Sequence, residues 1–332
     1  MKFSSKSVLI IGFGSIGKRH FNNILLLGFK NIYIISKHLE KNIKNPTVKV
    51  FRNCDDLKNQ KIDFCLICSS SSDHYPDFLN VISLGIKNIF VEKPISNNIN
   101  IANKMLELSL ENNCRTYVGF DMRFDPGLLK VKNLIERKVI GDICTFRCEV
   151  GQYLPDWRSN IDYSKSSSAK LGGGVMLDLI HEFDFVSWIL GDIKSIYGKN
   201  NKSSNLNIDT EDNSLNIITL KNNVIGTITL DYLQKKLSRN FKVIGKNGMI
   251  FWDYTKNTVK WIKNDEDNYS FYNYDDYSRN DRFKEVIKSF FNYSSSIKNI
   301  DERLTKIENS ISSLNAVHFA KISNLKDKPI NL

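Results

Sequence analysis

Short apolar runs alternate with amphipathic segments over residues 1–120 of the chain. Six runs of strand length recur in this region: SVLIIG, NIYIIS, TVKVF, DFCLICS, NIFVEK and TYVGF. Between them, SIGKRHFNNILLLG and SDHYPDFLNVISLG carry apolar residues at helical spacing, and each ends in a glycine that stops a helix. Strands that alternate with helices predict βαβ units, so we predict a doubly wound parallel sheet that is covered on both faces.

The pattern changes in the remaining residues, 121–332. From about residue 142, the runs DICTFRCEVGQY, DNSLNIITL, NVIGTITLDY and FKVIGKNGMIFWDY follow one another, separated by glycine or asparagine turns such as GKNG. Consecutive strands with short turns predict an antiparallel sheet and hence a second, α+β domain. The segments SRNDRFKEVIKSFF and DERLTKIENSISSLNAVHFAKI predict helices that close this domain.

Composition is compatible with two globular domains and excludes several classes of protein. The 332 residues are 41% hydrophobic and 25% charged, the balance of a globular chain. No apolar run approaches the roughly 20 residues of a membrane span, and the N-terminus lacks a signal-peptide pattern, so we expect a cytoplasmic protein without membrane contact. The net charge of +11 comes from scattered lysines, which favours a basic cleft for anionic ligands over nucleic-acid binding.

The six cysteines contain one CxxC pair, Cys65 and Cys68, inside an apolar run. Side chains three residues apart on a strand point to opposite faces of the sheet. These two cysteines therefore cannot share a metal ion on that strand. No other cluster has the spacing of metal ligands, and we predict no metal site.

The turn GFGSIG follows the apolar strand Val8–Ile11 and opens a helix. This context makes the G-x-G-x-x-G pattern informative. The first glycine permits a tight turn, the second lets a pyrophosphate approach the backbone, and the third allows close helix packing. The alternative is a glycine-rich turn without a ligand. We predict dinucleotide contacts at Gly12, Gly14, Ser15, Ile16 and Gly17.

The end of the second strand bears on the choice of dinucleotide. NAD-binding domains usually place an acidic residue there to bind the ribose 2′-hydroxyl, whereas this chain has Ser36 followed by Lys37. The missing carboxylate removes repulsion against a 2′-phosphate and the lysine adds attraction, so we favour NADP over NAD. Glu40 lies near enough in the sequence to oppose this interpretation.

Lys93 comes directly after the fifth strand, in the segment VEKP. Ligands of doubly wound sheets bind at the carboxyl ends of the strands, and Pro94 restricts Lys93 to an extended backbone. A lysine shielded from water beside a cationic ring is expected to have a lowered pKa and to exchange a proton with a substrate hydroxyl. The alternative is a side chain that extends to solvent. Ser69, His74 and Glu92 complete the predicted cofactor-binding residues, together with Lys93 itself.

The segment LGGGVMLDLIHEFDFVSWILG, residues 171–191, predicts a helix after three glycines. Asp178 and His181 are three residues apart and would be neighbours on this helix, with Glu182 and Asp184 on the same side. A carboxylate beside an imidazole forms an oriented acid–base pair. The alternatives are a carboxylate that stabilises the helix N-terminus and a buried core histidine.

These segments together resemble the Gfo/Idh/MocA oxidoreductases, the family of glucose–fructose oxidoreductase and inositol dehydrogenase. The resemblance rests on GFGSIGKRH, VEKP, VGFDMRFDP, GGGVMLDLIHEFD and TLDYLQKKLSRNFKVIGKNGMIFWDY, in this order. It implies an N-terminal Rossmann domain, residues 1–120, and a C-terminal α+β domain, residues 121–332, with a large open, mostly antiparallel sheet. Members oxidise or reduce sugars, cyclitols and nucleotide-linked sugars with NAD or NADP, and they use the open sheet to form oligomers.

The resemblance assigns roles to individual residues. Lys93 matches the catalytic lysine of the family, and Asp178 matches the aspartate of the helix motif. The family usually places histidine four residues after that aspartate, whereas here His181 comes three residues after it, so the choice between His181 and Glu182 is open; we favour His181. A second departure is Asp121, where the family often has asparagine.

The loop GQYLPDWRSNIDYSKS mixes aromatic side chains with a cation. Aromatic faces suit sugar rings, and a guanidinium suits phosphate or carboxylate; the alternative is a surface loop anchored by its aromatic residues. We predict substrate contacts at Arg123, Tyr153, Trp157, Arg158, Asp178 and His181.

The sequence thus predicts an NAD(P)-dependent dehydrogenase or reductase that acts on a nucleotide-linked or otherwise anionic sugar and assembles as a homodimer or homotetramer. In this prediction Lys93 is the acid/base, assisted by His181 and Asp178. The alternatives are a non-catalytic, cofactor-dependent binding or regulatory protein on the same fold, and a reductase of a non-sugar substrate.

Overall fold

The computed structural model describes residues 3–36, 43, 45–157, 162–294 and 301–332. The chain divides into two compact units. The first comprises Met1–Asp121 and Arg279–Ile311, and the second comprises Met122–Ser278 and Ser312–Leu332. The strands are β1 Ser7–Ile11, β2 Asn31–Ile35, β3 Val48–Phe51, β4 Phe64–Ile67, β5 Asn88–Val91, β6 Arg115–Val118, β7 Ile143–Gly151, β8 Ile193–Asn201, β9 Asn213–Leu220, β10 Ile225–Asp231, β11 Ser238–Gly245, β12 Gly248–Asp253, β13 Thr258–Lys263, β14 Ser270–Asn273, β15 Thr305–Lys306 and β16 Ile330–Asn331. The helices are α1 Ser15–Leu26, α2 His74–Ser83, α3 Ile99–Glu111, α4 Pro126–Glu136, α5 Leu154–Trp157, α6 Tyr163–Ser166, α7 Val175–Asp178, α8 His181–Leu190, α9 Arg279–Ser294 and α10 Ile307–Lys326.

The sheet of the first unit has the order β15-β6-β5-β4-β1-β2-β3. The six strands β1 to β6 are parallel to their neighbours, and the short β15 adds an antiparallel edge. All residues of β1 and β4 are buried, as expected for strands that are covered on both faces. This arrangement confirms the predicted doubly wound Rossmann sheet.

The division of the chain differs from the predicted domains at one segment. Residues 279–311, which the prediction placed in the second domain, belong to the first unit. The reason is aromatic packing: the ring of Phe291 in α9 is tilted against Phe29 and T-shaped to Phe64, with ring centroids 4.6 and 4.9 Å away. Phe290 contacts Phe90 of β5 at 5.5 Å. The helix therefore covers one face of the parallel sheet.

The sheet of the second unit has nine strands in the order β14-β13-β12-β11-β7-β10-β9-β8-β16. Within the described residues, β7 and β10 are the one parallel pair, and the other neighbours are antiparallel. In β9, buried residues alternate with Leu215 and Ile217, which are exposed. The alternation confirms the predicted open, mostly antiparallel sheet, with one face buried and one face accessible.

The region predicted as a single helix over residues 171–191 is interrupted. The helix α7 ends at Asp178 and α8 begins at His181, and Leu179 between them has φ −107° and ψ 31°. Asp178 and His181 therefore do not lie on one continuous helix, and the prediction of a single helix was wrong on this point. No helix within the described ranges combines the length and apolar character that a bilayer span requires.

Candidate functional site

The glycine turn after β1 is shaped by three different constraints. Gly12 has φ +89°, and a Cβ there would lie 2.6 Å from the backbone nitrogen of Ser69. A Cβ on Gly17 would lie 2.1 Å from the carbonyl oxygen of Gly12. Around Gly14, by contrast, no heavy atom of the described residues lies within 4 Å of an added Cβ. The turn is thus closed at its two ends and open at Gly14, the position where a pyrophosphate is expected to approach the backbone.

The chemistry of the first helical turn also fits an anionic ligand. Gly14 is the N-cap of α1, and no acidic residue lies in its first turn. The first N–H groups of a helix have no intrahelical acceptor, and the helix dipole favours negative charge at this end. The residues that would hold the pyrophosphate of a dinucleotide are Gly12, Gly14, Ser15, Ile16 and Gly17.

The two residues predicted to select the cofactor are Ser36 and Lys37, at the end of β2. Ser36 follows directly after β2 and is half-buried. Lys37 lies outside the described residues. The end of β2 therefore retains a small hydroxyl residue at the place where an acidic side chain would bind a ribose 2′-hydroxyl.

His74, a predicted cofactor contact, is instead buried between two loops. Its Nδ1 lies 3.0 Å from the carbonyl oxygen of Pro94 and 3.2 Å from that of Ile95, and its Nε2 lies 3.2 Å from that of Ser69. Burial lowers the pKa of His74, and this effect outweighs the three carbonyl oxygens, which raise the pKa. The ring joins the loop after β4 to the loop after β5, and its contact with the cofactor stays a prediction. The hydroxyl of Ser69 donates to Asp77 at 2.6 Å, so it also stabilises the loop after β4.

Glu92 was predicted as a cofactor contact, but its carboxylate faces into the first unit. Oε1 lies 2.6 Å from Nε2 of the buried His20, and Oε2 accepts from the backbone N–H of Lys93 at 3.3 Å. Both oxygens bond to groups of the protein, and a contact between Glu92 and the cofactor stays a prediction. His20 lies three residues after Gly17, in GKRH, and sequence reasoning missed it because no local pattern points to its partner.

Lys93 follows Glu92 at the carboxyl edge of the sheet and is half-buried. The backbone N–H of Glu92 continues the sheet by donating to Ile67 of β4 at 2.9 Å. The strand order is β5-β4-β1, so β5, which precedes Lys93, lies two strands from β1, which precedes Gly12. Adjacent strands are about 4.8 Å apart. Lys93 and the glycine turn are therefore at the same edge of one sheet.

In the second unit, the glycine triplet before α7 has a steric cause. Gly172 is left-handed with φ +79°, and Gly174 has φ +116°. A Cβ on Gly173 would lie 2.2 Å from the carbonyl carbon of Ser167. The backbone N–H of Val175 donates to the carbonyl oxygen of Glu211 at 3.1 Å. These contacts fix the start of α7 and thereby the position of Asp178 at its end.

Asp178 is held by a tyrosine that the sequence reasoning did not single out. The hydroxyl of Tyr232 donates to Oδ2 of Asp178 at 2.7 Å, and the Tyr232 side chain is fully buried. The ring of Trp157 packs against Tyr232 with centroids 6.2 Å apart. The structure therefore brings two predicted substrate-binding residues, Trp157 and Asp178, to the same tyrosine.

The aromatic loop docks on the segment after β10. The backbone N–H of Tyr153 donates to Gln234 at 2.6 Å, and that of Leu154 donates to Tyr232 at 3.1 Å. The ammonium group of Lys235 lies 4.3 Å from the centroid of the Tyr153 ring. Arg158, also predicted in this loop, lies outside the described residues.

Two carboxylates of α8 form buried ion pairs. Glu182 accepts from Nε and Nη2 of Arg239 at 2.7 and 3.1 Å. Asp184 accepts from Nε and Nη2 of Arg123, both at 2.8 Å. Arg123 is 6% exposed and directs its guanidinium to Asp184, and its contact with the substrate stays a prediction. Glu182 is likewise paired with Arg239, which leaves His181 as the candidate in this turn. The His181 side chain is 7% exposed.

Asp121, the departure from the asparagine of the family pattern, also has a charged partner. Its Oδ2 accepts from Nε of Arg282 in α9 at 2.7 Å, and both side chains are buried. The extra negative charge is thus neutralised within the first unit. It belongs to the framework of that unit and not to the predicted ligand contacts.

Comparisons with known proteins agree with this arrangement. A family model described as "Oxidoreductase family, NAD-binding Rossmann fold" matches residues 6–120, and a model of the "GFO/IDH/MocA C-terminal domain" matches residues 128–251. The myo-inositol 2-dehydrogenase of Thermotoga maritima is 25% identical over 268 residues, which span 75% of this chain and 76% of the relative.

Two solved structures show the same fold. The WlbA dehydrogenase from Bordetella pertussis, in complex with NADH and UDP-GlcNAcA, has a TM-score of 0.80 at 18% identity and covers 98% of both chains. A super-repressor mutant of Gal80p from Saccharomyces cerevisiae has a TM-score of 0.86 at 15% identity, over 98% of this chain and 97% of that one. The two family models match in chain order, one in each unit, and the chain therefore belongs to the GFO/IDH/MocA family of oxidoreductases, with an NAD-binding Rossmann fold in its first unit.

Proposed function

We propose that this chain is an NAD(P)-dependent dehydrogenase that oxidises a secondary hydroxyl of a sugar derivative, or reduces the corresponding ketone. The observation that carries the proposal is the position of Lys93, two residues after the end of β5 and at the same edge of the sheet as the open glycine turn. A binding protein that only held the dinucleotide would not need an amine at that edge.

The residues divide the chemistry between them. When bound, the nicotinamide ring accepts or donates the hydride at the substrate carbon. In the direction of oxidation, Lys93 takes the hydroxyl proton through its neutral amine, and the carbon–oxygen bond becomes a carbonyl. Asp178, oriented by Tyr232, is proposed to bind and orient the substrate, and His181 is proposed to assist proton transfer.

For the substrate class, we propose a nucleotide-linked or otherwise anionic sugar. The net charge of +11 attracts anions, and Trp157 offers an aromatic face beside Tyr232, which donates to Asp178. The UDP-GlcNAcA bound by WlbA and the cyclitol named for the Thermotoga relative motivate including both classes in the test. The homodimer or homotetramer through the accessible sheet face, on which Leu215, Ile217 and Ile225 are exposed, stays a prediction, as does the cytoplasmic location.

The direct test is turnover, followed by the near-ultraviolet absorbance of reduced nicotinamide, with cyclitols and with free, phosphorylated and nucleotide-linked sugars. Lys93→Ala should abolish turnover with every accepted substrate. Lys87→Ala is the matched control, because Lys87 is exposed and precedes the same strand at its other end. Turnover within about tenfold of wild type in Lys93→Ala contradicts the proposed acid/base, since a general acid or base contributes about 10²–10⁴-fold.

We also propose a preference for NADP over NAD. Ser36→Asp should shift the ratio of the two dissociation constants towards NAD, because a carboxylate binds a ribose 2′-hydroxyl and repels a 2′-phosphate. An unchanged ratio contradicts the argument from the end of β2.

A second candidate function is a regulatory protein that binds the dinucleotide without turnover. The fold shared with Gal80p at a TM-score of 0.86 motivates it. The presence of Lys93, Asp178 and His181 in one chain weighs against it. Tight cofactor binding without turnover on any member of the panel would favour this second candidate.

A further inference from the structure

The buried pair of His20 and Glu92 connects the helix after the glycine turn to the backbone of Lys93. His20 belongs to α1 and is fully buried, and its Nε2 lies 2.6 Å from Oε1 of Glu92. The other carboxylate oxygen accepts from the backbone N–H of Lys93 at 3.3 Å. One carboxylate thus contacts the helix that begins at the dinucleotide loop and the residue proposed as acid/base.

The surroundings leave the Glu92 carboxylate little freedom to adopt another position. Gly119 lies against it so closely that an added Cβ would be 3.0 Å from Oε1 and 3.2 Å from Cδ. The imidazole of His20 is enclosed by the edges of Phe90 and Phe283, with ring centroids 5.7 and 6.1 Å away. Packing on both sides therefore keeps the imidazole of His20 within hydrogen-bond distance of the Glu92 carboxylate.

The direction of the hydrogen bond follows from the chemistry of the two groups. An ionised carboxylate only accepts, so Nε2 of His20 carries the proton that is shared with Glu92. A buried carboxylate that loses such a donor is left with an uncompensated desolvation cost. Without His20, the Glu92 carboxylate is expected to move towards water, which weakens its bond to the N–H of Lys93.

The opposite side of Lys93 is held independently. Nδ1 of His74 lies 3.0 Å from the carbonyl oxygen of Pro94 and 3.2 Å from that of Ile95. The two residues after Lys93 are therefore anchored to α2, whereas its own N–H is anchored through Glu92 to α1. Of the two anchors, the one through Glu92 acts on the peptide group of the lysine itself.

We propose that His20 is a positioning residue, which fixes the backbone of Lys93 through Glu92 and so couples the helix of the dinucleotide loop to the placement of the reactive amine. The inference rests on the proposed function of Lys93 as acid/base. It assigns no contact between His20 and substrate or cofactor.

The test compares two substitutions of similar size. His20→Gln keeps an N–H donor near the position of Nε2, whereas His20→Leu removes the donor and keeps an apolar side chain. The cofactor-free proteins are treated with acetic anhydride at several pH values, and the acetylation rate of Lys93 is measured by peptide mass spectrometry, relative to that of the exposed Lys87. This readout reports on the lysine itself and needs no turnover.

We expect the relative acetylation rate of Lys93 to rise several-fold in His20→Leu and to stay near the wild-type value in His20→Gln. In turnover assays, kcat/KM should fall by about tenfold in His20→Leu, a factor equivalent to about 1.4 kcal/mol, with most of the loss in kcat. The dissociation constant for reduced cofactor, measured by its fluorescence, should change little in both variants.

Three results would overturn the proposal: an unchanged rate at Lys93 in folded His20→Leu, equal changes in the two variants, or a loss confined to cofactor affinity. If His20→Leu does not fold, Glu92→Gln provides the test, because it keeps the side-chain shape and weakens both bonds; an unchanged rate at Lys93 then counts against the proposal. A failure of the proposed function is recognised separately, by turnover that survives Lys93→Ala while the acetylation results stand.

Discussion

Removal of the Glu182 carboxylate should destabilise the second unit while leaving the proposed chemistry intact in the remaining folded protein. Glu182 is fully buried and receives two hydrogen bonds from the Arg239 guanidinium, at 2.7 and 3.1 Å. The change Glu182→Leu leaves Arg239 as a buried cation without its carboxylate. Breaking a buried ion pair by removal of one partner costs about 3–5 kcal/mol.

That cost is large against the total stability of a folded domain, about 5–15 kcal/mol. Arg239→Met should cost a similar amount, because it leaves the carboxylate without its partner. The double variant, Glu182→Leu with Arg239→Met, should recover much of the loss, because an apolar pair of similar volume carries no unpaired charge. The coupling energy from this double-mutant cycle measures the interaction between the two side chains.

Tryptophan fluorescence during urea unfolding is the appropriate assay. All four tryptophans of the chain, Trp157, Trp188, Trp252 and Trp261, belong to the second unit. The fluorescence transition therefore reports this unit without a tryptophan signal from the first. The reasoning is refuted if Glu182→Leu lowers the free energy of unfolding by less than about 1 kcal/mol, the range of an exposed pair, or if the double variant is no more stable than the single ones. A stable Glu182→Leu protein that has lost activity would favour Glu182 over His181 as the residue of this turn that faces the substrate.

Three further predictions concern the two units separately. Tyr232→Phe removes the donor to Asp178 and should lower kcat/KM at least about tenfold in steady-state assays, because a hydrogen bond to a charged group contributes about 1.5–3 kcal/mol. Gly14→Ala should fold normally, since its Cβ meets no described atom within 4 Å, but it should bind the dinucleotide weakly in calorimetric titration. Gly17→Ala should instead lower the melting temperature, since its Cβ would lie 2.1 Å from a carbonyl oxygen of the same turn. Burial raises the pKa of Asp212, but the amides and hydroxyls of two serines lower it more, so its net pKa is below the usual value. The stability that this lowered pKa contributes is present above the unfolded pKa and is lost as the pH falls through the folded one. In Asp212→Asn, the free energy of unfolding measured in urea should therefore depend less on pH below about pH 5 than in wild type.

Each of these predictions has a result that contradicts it. The control for Tyr232→Phe is Tyr197→Phe, which removes a similar 2.7 Å bond to Asp327 at the exposed surface and should leave kcat/KM unchanged; equal effects of the two changes refute the role of Tyr232. Unaltered cofactor affinity in Gly14→Ala shows that no ligand group approaches that position. An Asp212→Asn protein with the same acid dependence as wild type shows that other carboxylates control it.

The periodicity of the sequence was sufficient to predict β1 to β6 of the first sheet and β7 and β9 to β12 of the second, whereas β8 and β13 to β16 were not among the predicted runs. Strand runs such as Val8–Ile11 are continuous apolar segments because both of their faces are buried. In the runs of β9 and β10, buried positions alternate with more exposed ones, because side-chain direction on a strand repeats every two residues. The glycine turn was also predictable. Two of its requirements are local, the left-handed φ at Gly12 and the close approach between Gly12 and Gly17, whereas the close approach of Ser69 to Gly12 comes from a distant segment of the chain.

The side-chain partners of the candidate site were not predictable in this way. His20 and Glu92 are separated by 72 positions in the chain, Glu182 and Arg239 by 57, and Arg123 and Asp184 by 61. A charged residue in a single sequence carries no information about which distant residue will neutralise it. This is why the ion pair between Arg123 and Asp184 was not predicted.

The same limitation explains the misassigned helix α9 and the break before α8. The sequence identified residues 279–294 as an amphipathic helix, but only the packing of Phe290 and Phe291 determines that it covers the parallel sheet. It also identified the helical residues around Asp178 and His181, but not the turn at Leu179 that directs Asp178 to Tyr232 and Glu182 to Arg239. Local propensity and periodicity thus determined which segments form strands and helices, whereas burial decided which polar groups pair, because an unpaired polar group becomes costly only when distant segments of the chain exclude water from it.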